Sequence, residues 1–375
     1  MTKKKRPNGE GGITYDEIRN SYRASVTTPV GKRLFKRCKT EEEAIKWKTE
    51  QLRNMHTGMF IAPSDMTVGE WAVQWLATYK KDTVKQRTYE RYTSLAKHLA
   101  MIAGVKLQDL TPLQVQQFYQ TFPHLSACTV AKVHKILKDM FNKAFELEMI
   151  RKNIMTAVKP PKFESKPIET FTREEIDAIL NACKSDSILK KYYPTVLLAT
   201  TTGMRLGEVL GVQWRDINFV DSTIHIRRSL QLSNVLGLIL ESPKTRASIR
   251  KIKITDECKE ELKKLRLKVI NMDIKQETLC FVTKNDTPIA PRNFERVWKS
   301  LLGEKHANIP YRNFHVLRHT HATELLAAGT PLSDVAKRLG HSKQSHTLEL
   351  YSHAMPNHDD FIADTIQKLY AVNGH

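Results

Sequence analysis

The chain has 375 residues, 41% hydrophobic and 27% charged, a composition that excludes a disordered protein and leaves room for two or three domains with real cores. Nothing approaches the roughly 18 consecutive apolar residues of a membrane span, and no signal peptide precedes the basic start, so the expected location is the cytosol. Sixty Lys and Arg against forty Asp and Glu leave +20, which predicts attraction to a polyanion, either nucleic acid or an anionic membrane surface.

The excess is spread along the chain. Basic residues outnumber acidic ones by 14 to 7 in residues 1–62, 15 to 8 in 63–163 and 31 to 25 in 164–375. Every segment is therefore expected to meet the polyanion. The five cysteines (Cys38, Cys128, Cys183, Cys258 and Cys280) are scattered and form no Cys-x-x-Cys pair. They read as reduced, mostly buried thiols.

The first segment, 1–62, opens on the basic arm "KKKR". "SYRASVTT" and "KRLFKRCKT" then alternate at period two, which predicts two strands. The second carries Arg33, Phe35 and Arg37 on one face and Lys36 on the other. Thr40 and Glu43 are spaced as a capping box for a helix that follows. A basic strand face with an aromatic between is suited to a DNA groove, and equally suited to an ordinary half-solvated sheet.

The second segment, 63–162, reads as all helix. Thr67 and Glu70 form a capping box ahead of Trp71, Trp75, Leu76 and Tyr79; Tyr89, Tyr92, Leu95 and Leu99 make a second stripe. Thr111-Pro112 starts a third helix, and Val130, Val133, Ile136, Leu137, Met140, Phe141, Ala144 and Phe145 mark a long fourth. These stripes read as core. Lys80, Lys81, Lys85, Arg87, Lys132, Lys135 and Lys138 fall on the opposite faces, where a basic bundle would bind phosphate backbone. "VKPPKFESKP" (158–167) is a linker by its prolines and charge.

The third segment, 163–375, is mixed. Thr172 and Glu175 cap a helix near 172–183, and helices near 191–201 and 205–213 follow. Strands are expected near 223–232, 236–241 and 249–254, then helices interrupted by a short "LCFV" strand. The predicted fold is thus α+β and mostly helical: a small sheet-plus-helix domain, a helical bundle and a mixed α/β domain.

"FHVLRHTHATELL" (314–326) concentrates histidine. His315 and His319, four apart, share a helical face, but His321 lies about 200° round from His319. No Asp, Glu or Cys nearby offers a third ligand on that face, so a metal site is not the preferred reading. Arg318 does share the face with His315. A histidine beside an arginine makes chemical sense when both address an anion such as a phosphodiester. Upstream, "TTGMRLGEVLG" puts Arg205 at a helix start, with Glu208 one turn on to hold its guanidinium. Downstream stand Lys244 in "SPKTRASIRKIKI", at the tip of a strand pair, His341 in "RLGHS" and Tyr351 in "SHTLELYSH".

Arg205, Lys244, His315, Arg318, His341 and Tyr351 occur in the order and approximate spacing of the tyrosine recombinases. The strings "TGMRLGE", "HVLRHTHAT", "LGHS" and "TLELYSH" resemble that family closely. The resemblance covers the third segment, while the first two are similar to the arm-site-binding and core-site-binding domains of phage and conjugative-transposon integrases. It implies that Tyr351 attacks a DNA phosphodiester to form a 3′-phosphotyrosyl bond, with no hydrolysis and no cofactor. Arg205 and Arg318 would clamp the phosphorane and Lys244 would protonate the leaving 5′-oxygen. His315 would act as acid/base partner, His341 would hydrogen-bond the phosphate and Glu208 would support Arg205.

Arg246, Lys251 and Lys253 compete with Lys244 for its role, and Tyr370 is the rival nucleophile. His319 and His321 are expected to be structural or without a role. The final helix, with Phe361, Ile362, Ile366 and Leu369, would pack on its own domain or on a neighbouring protomer. The implied partners are double-stranded DNA, a homotetramer on two sites and an accessory excision factor. A catalytically decayed DNA-binding protein, a metal-dependent nuclease and a type IB topoisomerase are the alternatives.

Overall fold

The structure is a computed structural model that describes residues 11–29, 31–58, 60–122, 125–163, 169–243, 245–269, 275–351, 363 and 367. It divides into two compact units, Met1–Glu164 and Ser165–His375.

The first unit begins with a three-stranded antiparallel sheet, β1 (Gly12–Asp16), β2 (Ser21–Thr27) and β3 (Arg33–Cys38), in that order. β1 was not expected from the sequence. Its reversal into β2 uses Asn20 in a left-handed conformation, φ 45°, a backbone state that Asn tolerates better than most residues. Helix α1 (Glu41–His56) covers the sheet through Ala24, Cys38 and Ala44, residues small enough to bring helix and strands together. Thr40 Oγ1 accepts the Glu43 N–H, but Glu43 reaches back to the N–H of Lys39 instead of Thr40, so only half of the expected box forms.

The helical part of this unit comprises α2 (Val68–Trp75), α3 (Gln86–Ala96), α4 (Pro112–Gln120) and α5 (Ala127–Glu146). Full capping boxes start α2 at Thr67 and α4 at Thr111. The predicted stripes are core: Trp71, Trp75, Leu99, Val133, Ile136, Leu137, Met140 and Phe141 are buried. Trp71 Nε1–H donates to the Met140 carbonyl at 3.1 Å, which satisfies its one polar group. Phe145, expected in the stripe, is half exposed near the end of α5. A π-helical turn over Leu76–Lys80 widens the chain after α2.

The second unit opens with α6 (Arg173–Ser185), α7 (Tyr193–Thr202) and α8 (Leu206–Leu210). Five short strands follow: β4 (Ile217–Asn218), β5 (Thr223–Ile226), β6 (Ser229–Ser233), β7 (Gly237–Glu241) and β8 (Arg250–Lys253). Helices α9 (Asp256–Val269), α10 (Pro291–Leu302), α11 (Val316–Ala327), α12 (Leu332–Leu339) and α13 (Gln344–Tyr351) follow among the described residues. α7 is buried along most of its length and forms the centre of the core with Phe294, Trp298 and Phe314.

Three expectations are corrected. The strand expected over 223–232 is broken at Arg227 and Arg228, which turn toward the buried carboxylate of Asp216. "LCFV" forms no ladder; Leu279 and Val282 make only isolated bridges, to Gln213 and Pro288. β7 pairs with β6, whereas β8 pairs with β5 in another sheet, so the strands flanking Lys244 are not partners. Lys244 itself lies outside the described residues, as do "KKKR", Phe361, Ile362, Ile366, Leu369 and Tyr370. All five cysteines are free, and no helix among the described residues is long and apolar enough to cross a membrane.

Candidate active site

α7 ends at Gly203, in the left-handed region with φ 66°, and the chain re-enters helix with Arg205 at the N-cap of α8. Glu208 accepts the Arg205 backbone N–H at 3.0 Å and its Nη1–H at 2.9 Å. From the other side Arg250 of β8 donates Nη2–H to Glu208 Oε2 at 3.0 Å and Nε–H to the Arg338 carbonyl at 2.6 Å. One buried carboxylate thus sits between two guanidiniums. Burial would raise its pKa, but Arg250 and then Arg205 outweigh that and hold it below the ordinary value. Arg205 keeps 39% of its side chain exposed although its guanidinium is bonded to Glu208.

Arg318 is 2% exposed. It donates Nη1–H to the Gly203 carbonyl at 2.9 Å and Nη2–H to the Leu339 carbonyl at 2.7 Å. Both acceptors stand at helix C-termini, where carbonyls lack helical partners and carry partial negative charge. Burial, followed by the Arg205 charge, pushes Arg318 down to about 9, still a cation at neutral pH. The shared influence puts the two guanidiniums in one electrostatic neighbourhood.

Tyr351, the last described residue of α13, is 1% exposed and packs with Ala322, Leu326, Val335 and Leu339. Its hydroxyl lies 2.5 Å from Nδ1 of His319. Burial pushes the phenol up to about 12, while Arg318 and Arg205 act in the opposite sense. The ring of His319 meets His315 edge-on, with centroids 4.9 Å apart. His315 stands at the N-cap of α11, its backbone N–H held by Asn313 Oδ1 at 3.0 Å. Its residue surface is open to solvent, yet crowding by protein atoms and then His319, Arg318 and Arg205 push its imidazole down to about 4. His341 follows Gly340, which is left-handed at φ 71°, and its Nδ1 lies 2.7 Å from Thr347 Oγ1.

Of the predicted residues, all but Lys244, which lies outside the described residues, are linked by short contacts or chain neighbours. Arg205, Glu208 and Arg318 are tied through Gly203; Arg318 and His341 through the end of α12; and His315 and Tyr351 through His319. Three participants were missed. Arg250 had a signal: in "RKIK" it shares the inward phase with Ile252, while Lys251 and Lys253 face outward. An arginine on the buried phase of a strand implies a buried anion. His319 was expected to be structural, yet it is the residue that meets the Tyr351 hydroxyl. Arg338 ties the site to its surroundings, donating Nε–H to Nε2 of His321 at 3.0 Å. Among the described residues no group of three or more His, Cys, Asp or Glu is arranged to hold a metal ion.

Residues 169–358, just over half of the chain, match the model of the phage integrase family. The chain belongs to this family, the tyrosine recombinases. It is a site-specific recombinase, an enzyme of DNA strand exchange. Residues 67–122 of the recombinase match the N-terminal SAM-like domain of phage integrases. A tyrosine recombinase XerC-like protein of Caldanaerobacter subterraneus subsp. tengcongensis is 29% identical over 360 residues, covering 88% of this chain and 90% of that protein. The ICEBs1 integrase of Bacillus subtilis is 26% identical over 272 residues, 70% of this chain and 72% of the relative.

Among solved structures, Tn1549 transposon integrase in complex with transposon right end DNA aligns with a TM-score of 0.70 at 20% identity, covering 82% of this chain and 100% of that one. A lambda integrase tetramer bound to a Holliday junction aligns with a TM-score of 0.59 at 17% identity, covering 95% and 99%. These two likenesses establish the fold.

In the first unit of the recombinase, Arg33, Phe35 and Arg37 all lie exposed on the outer face of β3. Arg23 of β2 stacks its guanidinium 4.1 Å from the Phe35 ring, and Arg37 pairs with Asp16 at 3.5 Å. Phe35 also borders a cleft of about 620 Å³ whose walls include Trp47, Phe141 and Ile154. Lys132, Lys135 and Lys138 are exposed along one side of α5. Lys80 is not on an open face: its ammonium lies 4.7 Å over Trp75 and 5.6 Å from Tyr92. Lys85, at the N-cap of α3, is partly buried.

Proposed function

We propose that this recombinase integrates and excises a mobile element by cutting double-stranded DNA with Tyr351. The attack forms a 3′-phosphotyrosyl bond and frees a 5′-hydroxyl, so the bond energy is kept in the protein–DNA link and no cofactor is needed. Arg205 and Arg318 stabilise the phosphorane, whose charge exceeds that of the starting diester. His341 donates to the phosphate, His315 acts beside it in proton handling, and Lys244 protonates the leaving oxygen. Glu208 holds Arg205 in register. The observation that carries this reading is that α11 supplies both Arg318, bonded to the Gly203 carbonyl two residues before Arg205, and His319, whose Nδ1 lies 2.5 Å from the Tyr351 hydroxyl.

Residues 1–62 bind arm-type DNA, 63–162 bind the core site and 163–375 form the catalytic domain. The enzyme works in the bacterial cytosol as a tetramer on two DNA sites, and an accessory factor biases it toward excision. The likeness to DNA-bound integrases, one of them a tetramer on a Holliday junction, supports this assembly. The test is a nicked suicide substrate carrying the element's end. Wild type is expected to accumulate a covalent adduct and Tyr351→Phe none; an adduct formed by Tyr351→Phe would refute the assignment.

A further inference from the structure

We infer that His319 is the general base that takes the proton of Tyr351 as it attacks. This rests on Tyr351 being the nucleophile. Three observations support it. The His319 Nδ1 lies 2.5 Å from the Tyr351 hydroxyl, within reach to accept the phenol's proton in the tautomer that leaves this nitrogen bare. The two rings lie close, with centroids 5.6 Å apart. Tyr351 is buried, where bulk water is a poor acceptor for its proton and the phenol, pushed up to about 12, needs a resident one. His315 meets the His319 ring edge-on at 4.9 Å and its residue surface stays open to solvent, as a residue addressing the phosphate must.

The step balances within the site. The Tyr351 oxygen bonds to phosphorus as its proton passes to His319 Nδ1. The bond from phosphorus to the 5′-oxygen breaks, and that oxygen receives a proton from the acid on the leaving-group side. Rejoining runs the same transfers in reverse, with His319 returning the proton to Tyr351.

The experiment uses the full chain and two nicked suicide substrates, one with the normal 5′-bridging oxygen and one with sulfur there. A thiolate leaves without an acid, so loss of an acid is masked on the sulfur substrate, whereas loss of a base is not. His319→Ala is expected to bind DNA and melt as wild type does. Its adduct formation should fall about 10²–10⁴-fold on both substrates, and added imidazole should restore part of the rate. His319→Asn, which keeps a hydrogen-bond acceptor but takes no proton, should be as slow. A wild-type rate in either variant, a loss confined to the oxygen substrate, or a His319→Ala deficit that imidazole leaves uncorrected would overturn the assignment. An adduct formed by Tyr351→Phe on either substrate would instead refute Tyr351 as the nucleophile.

Discussion

Arg250 Nη2 lies 3.0 Å from Glu208 Oε2, with both side chains about 5% exposed. Arg250 comes from a strand and Glu208 from the first turn of α8, so one ion pair locks the sheet to the helix that starts at Arg205. The same guanidinium bonds the Arg338 carbonyl of α12, which leads into Gly340 and His341. A single side chain thus holds two parts of the proposed phosphate site.

Replacing Arg250 by Met should destabilise the catalytic unit by about 3 kcal/mol, because the buried carboxylate loses one of its two cations. Arg250→Met with Glu208→Gln should recover part of that loss, since the uncompensated charge disappears with its partner. Urea unfolding of the four proteins gives the coupling energy directly. Additive losses would mean that the pair does not act as a unit.

Gly203→Ala should damage stability and cleavage together. The added methyl would lie 2.7 Å from His321 Cδ2 and 2.9 Å from Leu339 Cδ2, at a left-handed φ of 66°. Strain at such a site costs on the order of 1–3 kcal/mol, and the carbonyl displaced is the one that holds Arg318. A calorimetric scan should show a lower Tm, and adduct formation should slow even where the protein remains folded. An unchanged Tm would show that the turn yields freely.

Acid should loosen the same region through His321. Burial and then Arg338 push its imidazole down to about 4 in the folded protein, against 6.5 as its ordinary value. Between those values the unfolded chain binds the extra proton. His321 therefore contributes stability that is fully present above about 6.5 and lost as pH falls through about 4, on the order of 3 kcal/mol. His321→Gln, which preserves an acceptor for Arg338, should show a flatter pH dependence of unfolding over this range. His315 titrates with the same sign in both proteins, so the comparison isolates His321. Parallel curves would contradict the expectation.

The lysines of the first unit should separate by role. Lys132, Lys135 and Lys138 changed together to Ala should weaken DNA binding regardless of sequence. They should also flatten the dependence of log K on log salt by about 0.9 for each phosphate that is no longer neutralised. Lys80→Ala should instead leave the slope in place and cost the bundle about 0.5–1 kcal/mol of cation–π attraction to Trp75 and Tyr92. Filter-binding titrations and melting curves distinguish the two outcomes.

Much of this was legible in the chain itself. The capping pairs Thr67–Glu70 and Thr172–Glu175 form as read, because caps depend on residues three apart. The Trp71, Trp75 and Met140 stripes are core for the same local reason, a helical repeat that puts them on one face. β1 escaped notice since its reversal depends on a left-handed Asn20 and its pairing on β2. Lys80 was misplaced because helical phase assigns a face to its Cα, whereas its long side chain bends back onto aromatic rings.

The order Arg205, His315, Arg318, His341 and Tyr351, and with it the family, was determined by sequence alone, since residue types in a fixed order survive without coordinates. Tertiary structure decided the partners: which carboxylate faces which guanidinium, that Arg250 enters from the sheet, and that His319 is the histidine that meets Tyr351. Those bonds join positions 32 to 115 residues apart. Local spacing reports which side of an element a residue occupies. What it touches depends on how the elements pack.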